Sequence, residues 1–207
     1  MIGIIDYGMG NLRSVEKAFV YLGFDAGIIK TPDEIKQCEK IVLPGVGAFG
    51  DAIAILRRGG LDKAVKNAVS EGRLFLGICL GMQLMFDESS EGGRFEGLKL
   101  LSGRIVRLDE DPSVKYGGTE RKIPHMGWNS LDIKRPSPLF EGLGGDPFVY
   151  FDHAYYLETD SDIVSATCFY GKEINAAAQS GNVFGAQFHP EKSGAAGLKI
   201  LENFAKL

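Results

Sequence analysis

The chain has 207 residues, 44% of them hydrophobic and 24% charged, a balance that excludes disorder and collagen-like repeats and suits one soluble domain with a full core. Its net charge of −4 excludes a non-specific grip on nucleic acid or on an anionic membrane. Three scattered cysteines, Cys38, Cys79 and Cys168, exclude a disulfide framework and fit a reduced, cytoplasmic setting. No CxxC or HxxxH spacing predicts a metal site, Met1–Asp6 lacks the basic start of a signal peptide, and no run approaches the roughly 18 apolar residues of a membrane span.

Short apolar runs alternate with helical patterns through the first half. Met1–Asp6 reads as a buried strand, and Asn11 as the cap of a helix over Leu12–Leu22 whose apolar face carries Val15, Ala18, Phe19 and Leu22. Ala26–Ile29 is a second strand, Thr31-Pro32 opens a brief helix, and Lys40–Leu43 is a third strand before the loop Pro44–Gly50. Helical patterns cover Asp51–Arg57 and Leu61–Ser70. Leu74–Ile78 is a fourth strand, and a helix is predicted over Leu80–Phe86. This alternation predicts an α/β fold: an open, mostly parallel twisted sheet with helices on both faces.

The second half changes character. Asp87–Gly97 is polar and glycine-rich and reads as a loop. Strands are predicted at Ile105–Leu108, Trp128–Ile133, Phe148–Phe151, Tyr155–Glu158, Ile163–Phe169, Ile174–Gln179 and Val183–Phe188. They follow one another too closely for helical crossovers, so they read as antiparallel additions. Ser193–Leu207 is the closing helix, with Leu198, Leu201, Phe204 and Ala205 inward.

The chemistry concentrates in two segments. Leu74-Phe75-Leu76-Gly77-Ile78-Cys79-Leu80-Gly81-Met82-Gln83 takes a strand through Gly-x-Cys-x-Gly into a helix. That is the cysteine form of a nucleophile elbow, in which flanking glycines let neighbouring backbone pass close to the turn. A helix N-terminus at Cys79 would favour thiolate. Taken alone, Cys79 reads rather as a buried structural cysteine. A thiolate needs a proton carrier, and His189 ends the strand Val183–Phe188, where open α/β sheets place their sites. Glu191, across Pro190, stands at the spacing that lets it hold one imidazole nitrogen while the other faces Cys79. A solvated His-Pro-Glu turn is the alternative. His125 and His153 read as structural or interface residues. Gly45-Val46-Gly47-Ala48-Phe49-Gly50 spells a dinucleotide fingerprint, but Asp51 at the helix start would repel a pyrophosphate, and no acid stands at the end of the next strand for a ribose.

Gly77–Gln83 together with Phe188-His189-Pro190-Glu191-Lys192 resembles the class I (triad) glutamine amidotransferases. Asp6-Tyr7-Gly8-Met9-Gly10-Asn11, the loop from Pro44 to Asp51, Pro124-His125-Met126-Gly127-Trp128-Asn129 and Tyr150–Tyr156 narrow the likeness to the glutaminase subunits of histidine biosynthesis. The likeness runs over essentially the whole chain. It implies that Cys79 attacks the side-chain amide of L-glutamine, that His189 moves the protons and that Glu191 orients His189. It places the oxyanion against the backbone N–H of Leu80 and one from Gly45-Val46-Gly47. Gln83 and Glu91 would hold the amino-acid head of glutamine, and the segment with Ala154 and Tyr155 its carboxylate. On spacing alone, Glu91 reads as part of a solvated acidic loop. Asp152 and Ala154 depart from the family pattern, which has a small apolar residue and Ser or Thr there. The likeness implies a partner, a (β/α)8-barrel cyclase subunit that receives the ammonia, with Asn11 and Lys192 near the interface. It implies no cofactor. Two other readings stay open: a glutaminase subunit for anthranilate, purine or pyridoxal phosphate synthesis, and a non-catalytic module of the same fold.

Overall fold

The computed structural model describes residues 1–108 and 122–207. The first half follows the predicted alternation: β1 (Ile2–Ile5), α1 (Leu12–Tyr21), β2 (Ala26–Ile29), α2 (Pro32–Lys36), β3 (Lys40–Gly45), α3 (Phe49–Arg58), α4 (Leu61–Ser70), β4 (Leu74–Cys79) and α5 (Leu80–Gln83). The second half adds β5 (Glu88–Ser89), β6 (Phe95–Glu96), β7 (Arg104–Arg107), β8 (His125–Ser130), β9 (Asp132–Ile133), β10 (Phe148–His153), β11 (Tyr155–Glu158), β12 (Val164–Phe169), β13 (Glu173–Ser180) and β14 (Val183–Ala186). A single-turn helix, Pro190–Lys192, precedes α6 (Gly194–Lys206).

The main sheet runs β2-β1-β3-β4-β14-β13-β11-β7-β5-β6, with β12 and β9 leaving it at β13. Its first five strands are parallel. Their side chains alternate between two cores, because successive residues of a strand point to opposite faces. Ile4, Val42, Leu76 and Phe184 pack with Val15 and Phe19 of α1 and with Leu201 and Phe204 of α6. Ile5, Leu43, Phe75 and Val183 pack with Ile35, Phe49, Leu56 and Val65 from α2, α3 and α4. A separate antiparallel ribbon, β8–β10, stands beside the sheet.

Five expectations need correction. Val183–Ala186 is not an antiparallel addition: β14 pairs in parallel with β4, and only its other edge, against β13, is antiparallel. The excursion from Leu84 to Asn182 serves as the crossover, which spacing between adjacent strands cannot reveal. The predicted helix Leu80–Phe86 stops at Gln83. Beyond it the N–H groups of Met85 and Phe86 reach back only three residues, to the carbonyls of Met82 and Gln83, and the Asp87 N–H bonds the Gly103 carbonyl instead. Asp87–Gly97 is not all loop, since β5 and β6 pair as a small hairpin. The strand predicted from Trp128 begins at His125 and breaks at Leu131, whose N–H turns to Pro147. Finally, Asn11 precedes α1 but makes no side-chain cap. Its carbonyl accepts from Val15 N at 3.4 Å.

Candidate active site

The site stands at the C-terminal ends of β3, β4 and β14. Register sets its members side by side: Gly45 pairs with Cys79 across β3–β4, and Ala186 pairs with Ile78 across β14–β4. The segment Gln187–His189 therefore leaves the sheet beside Cys79. Cys79 itself sits at φ 54°, ψ −113°, a conformation that L residues avoid and that commonly stores about 1–3 kcal/mol of strain at functional sites. The tightness of this elbow is set by the flanking glycines. A Cβ on Gly77 would come within 2.6 Å of the Gly81 carbonyl oxygen, and one on Gly81 within 1.7 Å of the Leu43 carbonyl oxygen.

Cys79 is 6% exposed and His189 3%. His189 Nδ1 lies 2.8 Å from Glu191 Oε1, and the ring interacts electrostatically with the Cys79 side chain. Burial opposes charge on His189, but Cys79 and Glu191 outweigh it and raise its pKa to about 10. Both neighbours favour the charged form of the ring, which lies between Cys79 and the Glu191 carboxylate. With α5 reduced to one turn, the helix dipole adds little, and His189 is the main cation facing the sulfur. The Cys79 sulfur also meets the Asp152 carbonyl at 3.7 Å and the Gln187 amide at 3.8 Å.

A cavity of about 250 Å³ opens over Cys79, lined by Val46, Gly47, Leu80, Gln83, Glu91, Pro124 and residues 152–155. It gathers Cys79 with the predicted oxyanion residues Val46, Gly47 and Leu80 and the predicted substrate residues Gln83, Glu91, Ala154 and Tyr155, while His189, Glu191, Gly45, Asn11 and Lys192 do not line it. Gln83 donates from Nε2 to the Tyr155 carbonyl and to Gln187 Oε1, each at 3.0 Å. Glu91, at the tip of the β5–β6 hairpin, accepts the Phe49 N–H at 2.8 Å. That contact takes up the N-terminal donor of α3, so the glycine-rich loop before it offers a phosphate less than its pattern suggests. Gly45 lies beneath the cavity, paired with Cys79. Asn11 lines a different cleft, with Asp6, Gly10 and Lys30. Lys192 follows His189 and holds its ammonium 5.5 Å over the Tyr150 ring.

Three neighbours of Cys79 escape sequence reading. Gln187 alternates with His189 along the same extended segment, which is the only signal it carries. Tyr7, whose hydroxyl is buried without a partner, reaches the backbone of Gly45, and burial and nearby Cys79 both raise its pKa. His153 lines the cavity and contacts His125 at 3.0 Å. Two larger clefts, of about 740 and 600 Å³, lie at the far sheet edge among the Glu88–Arg94 and Arg104–Glu158 ion pairs, away from Cys79. Among the described residues, no group of three or more His, Cys, Asp or Glu side chains is placed to hold a metal ion, and no helix is long and apolar enough to cross a membrane.

The fold, a mostly parallel sheet with helices on both faces, is shared with a solved glutamine amidotransferase, at a TM-score of 0.75 and 20% identity over 100% of this chain and 99% of that one. The family model for class I glutamine amidotransferases matches residues 3–207, and the chain belongs to that family. Within it, the chain is similar to two curated proteins named imidazole glycerol phosphate synthase subunit HisH. It is 54% identical to that of a Geobacillus strain, over 100% of this chain and 97% of the relative. It is 51% identical to that of Caldanaerobacter subterraneus, over 100% and 98%. Among solved structures, PurLQS from Thermotoga maritima shares the fold, with a TM-score of 0.75 at 21% identity over 99% of this chain and 97% of that one.

Proposed function

We propose that the chain is the glutamine-hydrolysing subunit of an imidazole glycerol phosphate synthase, with Cys79 as nucleophile, His189 as acid and base, and Glu191 as the group that orients His189. The observation that carries this reading is the buried His189–Glu191 contact of 2.8 Å at the end of the strand paired with the one that ends at Cys79. The Cys79 thiolate adds to the carboxamide carbon of glutamine. The oxyanion so formed is held by the Leu80 N–H and by an N–H of Val46 or Gly47. When the C–N bond breaks, the His189 proton goes to the nitrogen and ammonia leaves. A glutamyl thioester remains on Cys79. His189, now neutral, takes a proton from water, which attacks the thioester and releases glutamate and the thiolate. Gln83 and Glu91 present acceptors to the substrate's α-ammonium, and the backbone at Ala154 and Tyr155 receives its carboxylate.

Ammonia released into neutral water would be protonated and lost, so an acceptor subunit has to take it. We assign that role to a (β/α)8-barrel cyclase docking over the strand ends near Asn11 and Lys192. Mixed with such a cyclase, the chain should support glutamine-dependent formation of imidazole glycerol phosphate. Activation of an anthranilate, purine or pyridoxal phosphate synthase instead, or no glutamine hydrolysis with any of them, would overturn the assignment.

Glu91 supplies a sharper test of the pocket. Glu91→Gln keeps an oxygen for the Phe49 N–H but removes the charge that faces an ammonium. The loss of one charge-assisted contact costs about 1.5–3 kcal/mol, so the KM for glutamine should rise roughly ten- to a hundred-fold while kcat changes far less. An unchanged KM would return Glu91 to a purely structural role at the start of α3.

A further inference from the structure

A chain of hydrogen bonds that the proposed chemistry does not use runs from the β8–β10 ribbon to the cavity. His125 and His153 face each other across the ribbon, 2% and 5% exposed. His153 Nδ1 lies 2.8 Å from the Tyr155 carbonyl oxygen, His153 Nε2 lies 3.0 Å from His125 Nδ1, and His125 Nε2 lies 3.4 Å from the Asn129 side-chain nitrogen. The His125 ring is sandwiched between Phe151, at 4.6 Å, and Tyr170, at 4.0 Å, so it cannot turn freely.

These contacts admit one consistent set of protons. A carbonyl oxygen only accepts, so His153 Nδ1 carries a hydrogen. The neutral ring then offers Nε2 as an acceptor, so His125 Nδ1 donates to it. His125 Nε2 is left to accept from the Asn129 amide. Burial pushes the His153 pKa down to about 4, with His189 adding to the effect and Tyr155 and Asp152 opposing it, so the ring is neutral across the physiological range. The Tyr155 carbonyl thus held also accepts from Gln83, at 3.0 Å. It admits only the NH2 end of the Gln83 amide. Gln187 Oε1 takes the same nitrogen, also at 3.0 Å. The Gln83 oxygen is then the end left for a ligand.

We propose that His153, backed by His125 and Asn129, is a positioning residue for the ligand pocket: it fixes the Tyr155 carbonyl and through it turns Gln83 Oε1 toward the ligand's ammonium. Without that anchor the Tyr155 carbonyl is held less firmly and Gln187 Oε1 is left as the main restraint on Gln83, which then turns its NH2, a donor that repels an ammonium, toward the ligand more often. The inference rests on the reading of the cavity as a glutamine site. It also gives the two faces of the ribbon distinct roles. Trp128 and Met126, 55% and 61% exposed, point outward, while His125 and His153 are buried and His153 lines the pocket.

The test compares two variants in the chain assembled with its cyclase. His153→Leu removes the donor to Tyr155. His153→Asn keeps a side-chain N–H close to the position of Nδ1. The leucine variant should raise the KM for glutamine roughly ten-fold while changing kcat by no more than about three-fold, and the asparagine variant should recover most of that loss. A purely structural histidine would cost stability in both variants without this split or rescue. In parallel, nitrogen NMR of histidine-labelled wild-type protein at neutral pH should show His153 as the Nδ1-H tautomer. An Nε2-H or charged His153, an unchanged KM in His153→Leu, or a fall in kcat alone would each overturn the proposal. Failure of the wild-type complex to hydrolyse glutamine would instead overturn the functional reading, and the NMR result would still decide whether His153 anchors Tyr155.

Discussion

Cys79→Ala is expected to lower glutamine hydrolysis by at least about 10⁴-fold, because removing a nucleophile removes the covalent route and leaves only binding and the oxyanion donors. Ammonia-dependent turnover by the synthase should survive, since in the proposed division of labour the partner performs that chemistry. The other two cysteines provide the controls. Burial pushes the Cys168 thiol up to about 12, so it is protonated at neutral pH. Cys38 is also raised by burial, and its thiol donates to the Glu34 carbonyl at 3.2 Å beside α2. Neither sits at an elbow or meets a histidine. Cys38→Ala and Cys168→Ala should therefore leave hydrolysis within about two-fold of the parent at temperatures where they stay folded. Steady-state glutaminase assays on the three variants, with ammonia-driven synthase assays beside them, decide the matter. Glutaminase activity retained in Cys79→Ala would remove the cysteine from the chemistry altogether.

How far the sequence revealed this site depended on the reach of each signal. The elbow was legible because its cause is local: Gly77, Cys79 and Gly81 lie within five residues at a strand end, and the His189–Glu191 pair gave the cysteine a chemical partner. His189 and Glu191 were legible as a pair for the same reason. Their place beside Cys79 was not. It depends on β14 pairing in parallel with β4, a contact between segments about a hundred residues apart, and hydrophobic patterning does not report strand direction. The end of α5 was equally hidden, because Leu84, Met85 and Phe86 continue the apolar pattern while the backbone there tightens to three-residue turns and the Asp87 N–H goes to the distant Gly103 carbonyl. Gln187 and His153 escaped because their roles are set by partners across the fold: Gln83 for one, Tyr155 and His125 for the other. A lone histidine in an aromatic-rich strand looks like core until its hydrogen-bond partners are known.

The second large effect falls on stability and geometry together. Gly81 lies in the first turn after Cys79, and a methyl group there would stand 1.7 Å from the Leu43 carbonyl oxygen and 2.7 Å from its carbon. Neither backbone can give way. Leu43 is in β3, held between β1 and β4, and its partner in register is Gly77. Gly77 is itself pressed against the Gly81 carbonyl, so moving α5 outward would pull the elbow open. Overpacking a core with side-chain atoms costs about 1–3 kcal/mol, and a collision with a central strand's backbone belongs at or above the top of that range. Gly81→Ala should therefore lose at least about 3 kcal/mol, or roughly 6–12 °C in Tm for a chain of this length. Gly144, with open space around its Cβ position and no left-handed φ, is the matched control, and Gly144→Ala should stay within about 0.5 kcal/mol of the parent. Below its lowered Tm, Gly81→Ala should keep the far-UV signal of the α/β sheet yet hydrolyse glutamine poorly, because any relief of the clash moves Cys79 away from His189. Thermal unfolding, circular dichroism and glutaminase assays on the two variants separate these effects. A Gly81→Ala protein with parental Tm and parental activity would mean that the close approach of α5 to β3 does not hold the elbow in place.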